Sequence, residues 1–292
     1  MIRLQLFGTP RITLDGVVVE ITTRKAWSVI GYLAAHSDRP VGRSRLAGEL
    51  WGDFDEARAR AALATTLWRL KTALQPAGDT RLLHSLGDRL ALAPGSVESD
   101  VSAFRHLAAD PRVATDVLDG EALELLETAC ALHSGGFLDG VDEDWCLVAR
   151  EAFRSAVVSM LERLVTTYSE AQRHQDVVRV GHRLLAEEPF VEHVHRAIIV
   201  ALGAMGERAI AARQFNECAR MLREELGLSP APETVDAYRR AVGEVRAPAS
   251  SGTVFAVAAK RPDGRDRDDQ LAYALSCLRE ATSTLDGLRR RN

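Results

Sequence analysis

Residues 57–74 read ARARAALATTLWRLKTAL. At about 100° per residue, Leu63, Leu67, Leu70 and Leu74 fall in one narrow sector of a helix. That sector demands burial, so the helix needs packing partners from the flanking chain. Every charge in the stretch is positive: Arg58, Arg60, Arg69 and Lys71. The side opposite the leucines carries Arg58, Ala61, Thr65, Trp68, Arg69 and Thr72, with Arg60 and Lys71 at one flank. Solvated surface helices usually mix both signs of charge. A face of small residues, hydroxyls and arginines is what a duplex major groove requires. Small residues allow close approach, arginine bonds guanine bidentately, and threonine meets a base edge or a thymine methyl. The stretch is therefore predicted to be a recognition helix. Its candidate DNA-contacting residues are Arg58, Arg60, Thr65, Trp68, Arg69, Lys71 and Thr72.

The flanking chain supplies the partners. IRLQLFG and PRITLDG are short, β-rich and broken by Gly8, Pro10 and Gly16. VVVEIT follows Asp15-Gly16, a tight-hairpin signal. TRKAWSVIGYLAAH then places Ala26, Val29, Ile30 and Leu33 at helical spacing, with Thr22 or Thr23 as cap. VGRSRLAGELWG predicts a second short helix capped by Ser44 and stopped at Gly52. After the third helix, RLLHSLGDRLALAP reads as two strands around Leu86-Gly87-Asp88. Three strands, three helices and a hairpin within residues 1–95 is the layout of a winged helix-turn-helix with an added sheet.

In that geometry the second helix crosses the backbone and the third enters the groove. Arg43, Ser44 and Arg45 begin the second helix, where free N–H groups and cations favour phosphate. Arg24 and Lys25 open the first helix and suit either phosphate or solvent. Arg89, in the hairpin, is a candidate for the adjacent minor groove or its sugar-phosphate rim.

Residues 99–246 read as almost wholly helical, punctuated by glycine and proline. QDVVRVGHRLLAEEP and ERAIAARQFNECARMLREELG are similar phrases about one tetratricopeptide length apart, which suggests stacked helix pairs. Residues 247–269 read as a linker and 270–292 as a last amphipathic helix. Its terminal Arg289-Arg290-Arg291 is read as a solvated helix end rather than a second DNA contact.

Charge follows this division. Residues 1–95 hold 13 Lys+Arg against 9 Asp+Glu, whereas the whole chain carries −4. A positive module joined to an acidic one suggests a polyanion partner for the first. Arginine outnumbers lysine 34 to 3, a bias attributed to base composition and given no functional weight. No run of about 18 apolar residues occurs, so no membrane span is expected. The opening residues lack the apolar core of a secretory signal, and a cytoplasmic location is expected. Cys130, Cys146, Cys218 and Cys277 stand far apart without metal-ligand spacing. No metal or cofactor is expected, and three of the cysteines read as small hydrophobes in helices.

Catalysis is not expected. His193 and His195 are two apart and diverge on a helix; packing is the simpler role, with Glu192 pairing to Arg196 at i,i+4. Ser134 in HSGGFLDG lacks a nucleophile elbow; the glycines end a helix while Phe137 and Leu138 enter the core. The acids of DEDW suit a helix start.

The chain resembles the actinobacterial antibiotic regulatory protein (SARP) type of transcriptional activator. The matching stretches are RLQLFG (3–8), TRKAWSVIGYLAAH (23–36), GRSRLAGELWG (42–52) and ARAALATTLWRLKTAL (59–74). Further along they are SDVSAFRHL (99–107), LHSGGFLDG (132–140), DWCLVAR (144–150), EEPFVEHVHRAI (187–198) and LREELGLSPAPET (222–234). The resemblance spans residues 1–246. It implies an OmpR-type winged helix followed by an all-helical bacterial transcriptional activation domain. It also implies promoter DNA bound at short direct repeats, a homodimer on that DNA, and recruitment of RNA polymerase. GDRLAL lacks the aromatic that follows the glycine in family members, and Phe215 stands where tyrosine is usual. No GxxxxGK[ST] motif occurs. The expected fold is mainly α: a winged helix-turn-helix followed by a tetratricopeptide-like helical domain. The competing expectation is a helical-repeat scaffold whose winged helix makes protein contacts only.

Overall fold

In the computed structural model, which describes residues 1–75, 82–115 and 118–243, Asp15 and Gly16 both take positive φ (48° and 87°). This turn folds β2 (Arg11–Leu14) onto β3 (Val17–Val19), while β1 (Ile2–Gln5) pairs antiparallel with β2. Alternation sets the faces: Ile2, Leu4, Ile12 and Leu14 point into the core, and Arg3, Gln5 and Arg11 point out. A fourth strand, β7 (Val97–Ser99), joins β1 in parallel register. It was not expected, because three residues are too short to show a period.

Three helices follow the first three strands: α1 (Arg24–Ala35), α2 (Arg43–Leu50) and α3 (Glu56–Leu74). The expected hairpin is β5 (Leu83–Leu86) and β6 (Arg89–Leu92), to which the two-residue β4 (Val41–Gly42) adds a third strand on the β6 side. One expectation is corrected here. Ser44 does not cap α2; Gly42 holds the N-cap position and Ser44 lies in the first turn. The hairpin sets that boundary, since Gly42 pairs with Arg89 and the Arg43 N–H donates to the Asp88 carbonyl at 2.8 Å. Asp55 caps α3 by accepting from the Arg58 N–H at 2.9 Å.

The remaining described chain is helical. It comprises α4 (Asp100–Ala108), a 3-10 turn (Pro111–Ala114), α5 (Gly120–Leu132), α6 (Asp144–Glu170), α7 (His174–Glu187), α8 (Glu192–Ala204), α9 (Arg208–Leu226) and α10 (Pro232–Val242). From α6 to α9 each helix packs on the next, and α10 closes on α8 and α9. Glycine permits two close approaches: a Cβ at Gly181 would lie 2.8 Å from Ile198, and one at Gly203 2.7 Å from Ala241. Phe215 stacks on Tyr238 with ring centroids 4.3 Å apart. His195 is buried, donating to the Pro189 carbonyl and accepting from Gln214. Glu192 accepts from the Ala231 N–H at 2.6 Å, so it is engaged with the start of α10. Cys130, Cys146 and Cys218 are buried and free, and burial pushes each thiol up to about 11. The expected linker at 247–269, the expected helix at 270–292 and Cys277 lie outside the described residues. No helix among the described residues is long and apolar enough to cross a membrane.

All described residues belong to one compact unit, and the end of β1 is where its two parts meet. Phe7 is fully buried and meets Phe104 and Phe153 edge-on at 5.5 and 5.4 Å. Its backbone bridges to Phe137. The Leu138 N–H donates to Leu6, the Gly8 N–H to Gly136 and the Asp139 N–H to Gly8. The Arg150 guanidinium gathers the carbonyls of Phe137, Leu138 and Val141 at 2.9–3.0 Å. The Asp100 carboxylate accepts from the N–H groups of Leu6 (2.8 Å), Phe7 (3.0 Å) and Val101 (2.7 Å). Burial pushes that carboxyl above its ordinary range, against the pull of these donors. Removing an acceptor strands buried donors, at about 1–3 kcal/mol for each one left dry. Asp100→Ala is therefore expected to lower unfolding stability by about 2 kcal/mol or more in a urea titration with unchanged slope. A loss below about 0.5 kcal/mol would contradict the pinning role.

Candidate nucleic-acid interface

α3 buries Ala59, Leu63, Thr66, Leu70 and Leu74. Leu67, expected in the buried stripe, is only half-buried, and Thr66 takes the inner place. Thr66 tolerates burial because its hydroxyl donates to the Ala62 carbonyl one turn back. Arg58, Arg60, Thr65, Trp68, Arg69, Lys71 and Thr72 are all exposed, and Trp68 is 66 % exposed. The centre of the outer surface runs through Ala61, Thr65, Trp68 and Thr72. Arg58 and Arg69 flank it on one side, Arg60 and Lys71 on the other.

The four cations differ in freedom. The Arg58 guanidinium lies over the Phe54 ring, 4.1 Å from its centroid. Arg60 sits 3.4 Å from Asp88 and 3.8 Å from Glu56. The stretch 57–74 contains no acid, yet the fold brings two to Arg60. Glu56 was legible as its i,i+4 neighbour; Asp88 arrives only through the hairpin. Among the described residues, Arg69 and Lys71 have no ion pair.

The flanking candidates separate into two groups. Arg43 donates to the Ser85 hydroxyl at 3.3 Å and so ties α2 to the hairpin. Ser44 is exposed beside it, and Arg89 is exposed next to the turn. These lie around α3 and the hairpin tip. Arg24 is exposed at the start of α1. Lys25 points elsewhere: its ammonium donates to the Leu50 carbonyl, lies 3.2 Å from Glu143, and sits 5.2 Å from the Trp51 ring centroid. Glu143 also accepts from the Ser28 hydroxyl (2.7 Å) and the Trp145 indole (2.9 Å). Lys25 thus clamps α1 to α2 and to the start of α6. Arg45 lines, with Glu49, Tyr32, Phe104 and Trp145, a groove of about 750 Å³ between α1, α2, α4 and α6. The Ser134 hydroxyl donates to the Phe7 carbonyl at 3.3 Å, His195 is buried, and His193, Asp142 and Asp144 are exposed.

Residues 99–241 match the bacterial transcriptional activator domain. The activator-domain segment begins at Ser99, the N-cap of α4, and ends inside α10. Regulatory protein AfsR of Streptomyces coelicolor is 25 % identical over 241 residues, covering 82 % of this chain and 24 % of that protein. Transcriptional regulatory protein EmbR of Mycobacterium bovis is 26 % identical over 240 residues, covering 78 % of this chain and 60 % of that one. The chain therefore spans less than two thirds of either relative. A solved structure, Mycobacterium tuberculosis EmbR in complex with a low affinity phosphopeptide, superposes with a TM-score of 0.57 at 22 % identity. It covers 85 % of this chain and 66 % of that one, a likeness of fold. The matched domain model is that of a transcriptional activator domain, and both of these relatives are regulatory proteins.

The contrast between neighbours at the start of α1 is testable. Lys25→Ala is expected to cost about 1 kcal/mol of unfolding stability, discounted for its partial exposure. Arg24→Ala, at an exposed position, is expected to stay within about 0.5 kcal/mol of the parent. Equal thermal denaturation of the two variants would remove Lys25 from the clamp.

Proposed function

We propose that this chain is a sequence-specific DNA-binding transcriptional activator acting in the cytoplasm. Residues 1–95 serve as an OmpR-type winged helix-turn-helix of the SARP kind, and α3 lies in the major groove of promoter DNA. Residues 99–246 form a tetratricopeptide-like domain that supports a homodimer on direct repeats and recruits RNA polymerase. One observation carries this reading: among the described residues, the outer face of α3 is exposed and Arg69 and Lys71 on it have no ion pair. A duplex supplies the compensating charge, one phosphate per ~1.7 Å of axis. Ser44, Arg43 and Arg89 border the same face and suit the sugar-phosphate rim. Arg24 suits a phosphate at the start of α1. Lys25, Arg45 and Arg60 are engaged or directed elsewhere and contribute through the local field rather than by direct contact.

A helical-repeat scaffold with a protein-only winged helix gives no reason for the exposed cations and the exposed Trp68 on one helix face. The two readings part on salt. Affinity for fragments of the chain's own upstream region is expected to fall steeply as salt rises, with a slope of about −0.9 per phosphate neutralised. Arg69→Ala is expected to weaken specific binding by roughly 1–3 kcal/mol. Fluorescence anisotropy at two salt concentrations reads both. Affinity that ignores salt, together with parental affinity in the Arg69 variant, would defeat the proposal.

A further inference from the structure

The outermost line of α3 carries no charge. Ala61, Thr65, Trp68 and Thr72 follow at i, i+4, i+7 and i+11, and all four are exposed. The Thr65 and Thr72 hydroxyls donate to the carbonyls of Ala61 and Trp68, each at 3.0 Å. Their protons are thereby spent within the helix. What this crest offers a partner is methyl groups, ring carbon, the two hydroxyl oxygens as acceptors and, as its donor without a partner among the described residues, the Trp68 indole N–H. Arg58 is held over Phe54 and Arg60 between Asp88 and Glu56, so neither stands over the crest. The Trp68 ring lines a concavity of about 360 Å³ with Ile21, Thr22, Thr23 and Thr72, and most of its surface faces solvent. An aromatic ring left this far in water forgoes much of the stabilisation its burial would bring.

Resting on the reading of α3 as the groove helix, we propose that Trp68 is a specificity-determining residue that selects thymine in the operator by packing against its 5-methyl group. Cations on both flanks bring the crest to a polyanion, which fixes the occupant as a duplex rather than an apolar protein. Thymine alone among the bases presents a methyl in the major groove, with the O4 acceptor beside it. That pairing matches an apolar ring edged by one N–H donor. Thr65 and Thr72 extend the same surface one turn to either side. The operator half-site under α3 therefore holds thymine opposite Trp68, while Arg69 and Lys71 supply the backbone or guanine contacts at the margin.

Replacing thymine by deoxyuridine removes the methyl and leaves every hydrogen-bonding atom in place. The full chain is titrated against a footprinted upstream fragment in which each thymine of the protected half-site is replaced singly. At one or two positions the substitution is expected to weaken binding about four-fold, the effect of one methyl-sized group losing its contact. In Trp68→Ala the same substitutions are expected to change affinity by less than about 1.5-fold, whereas Trp68→Phe keeps most of the penalty. Trp68 is exposed, so thermal unfolding of both variants is expected to match the parent. Salt-sensitive binding with no deoxyuridine penalty, or a penalty that persists in Trp68→Ala, overturns the thymine inference and leaves α3 as the groove helix. Absence of salt-sensitive binding to any fragment overturns both.

Discussion

The burial of Phe7 at the end of the first strand is the contact on which the remaining architecture depends. A single strand end is held from two directions. Asp100 at the start of α4 fixes the N–H groups of Leu6 and Phe7, and the 136–139 loop pairs with residues 6–8. The Phe7 side chain then completes an aromatic cluster with Phe104, Phe137 and Phe153, drawn from α4, the α5–α6 loop and α6. The same loop reaches α1, where Leu138 occupies the space a side chain at Gly31 would fill. α1 in turn packs on α2 and α3. The sheet, the three-helix module and the activator-domain segment thus share one core among the described residues.

That continuity fixes which way α3 faces. Its inner side is filled by Leu63, Leu70 and Leu74 against the first two helices, so its outer side must look away from the shared core. Close packing makes such an arrangement stiff, because interiors as dense as organic crystals do not deform gradually. Lys25 adds an electrostatic tie across the same boundary, reaching Glu143 and Leu50. Its engagement shows how a charge that reads as a candidate surface contact can be spent on holding parts together.

The sequence carried much of this. The leucine spacing of α3, the Asp15-Gly16 turn, the hairpin at Gly87 and the insertion of Phe137 and Leu138 were all legible, because each follows from local periodicity or from one conformationally special residue. The parts that were not legible depend on distant chain. β7 is three residues long and exists by pairing with β1, 95 positions away in register Ile2 to Val97. The start of α2 is set by the hairpin carbonyl of Asp88, so a local cap argument favoured Ser44 wrongly. The partner of Arg60 and the clamp of Lys25 are likewise tertiary facts. Within the candidate interface, residue type and helical phase gave the exposed set, but which cations stand free could be read only after folding.

The central claim is that the outer face of α3, fixed in place by the shared core, is the surface that meets DNA. Hydroxyl-radical oxidation of the protein, read by mass spectrometry with and without bound upstream DNA, examines that face directly. The account predicts that Trp68 loses most of its oxidation on binding, while exposed Phe190 and Leu147, on the helical part, keep theirs. Undiminished oxidation of Trp68 in a saturated complex would contradict it.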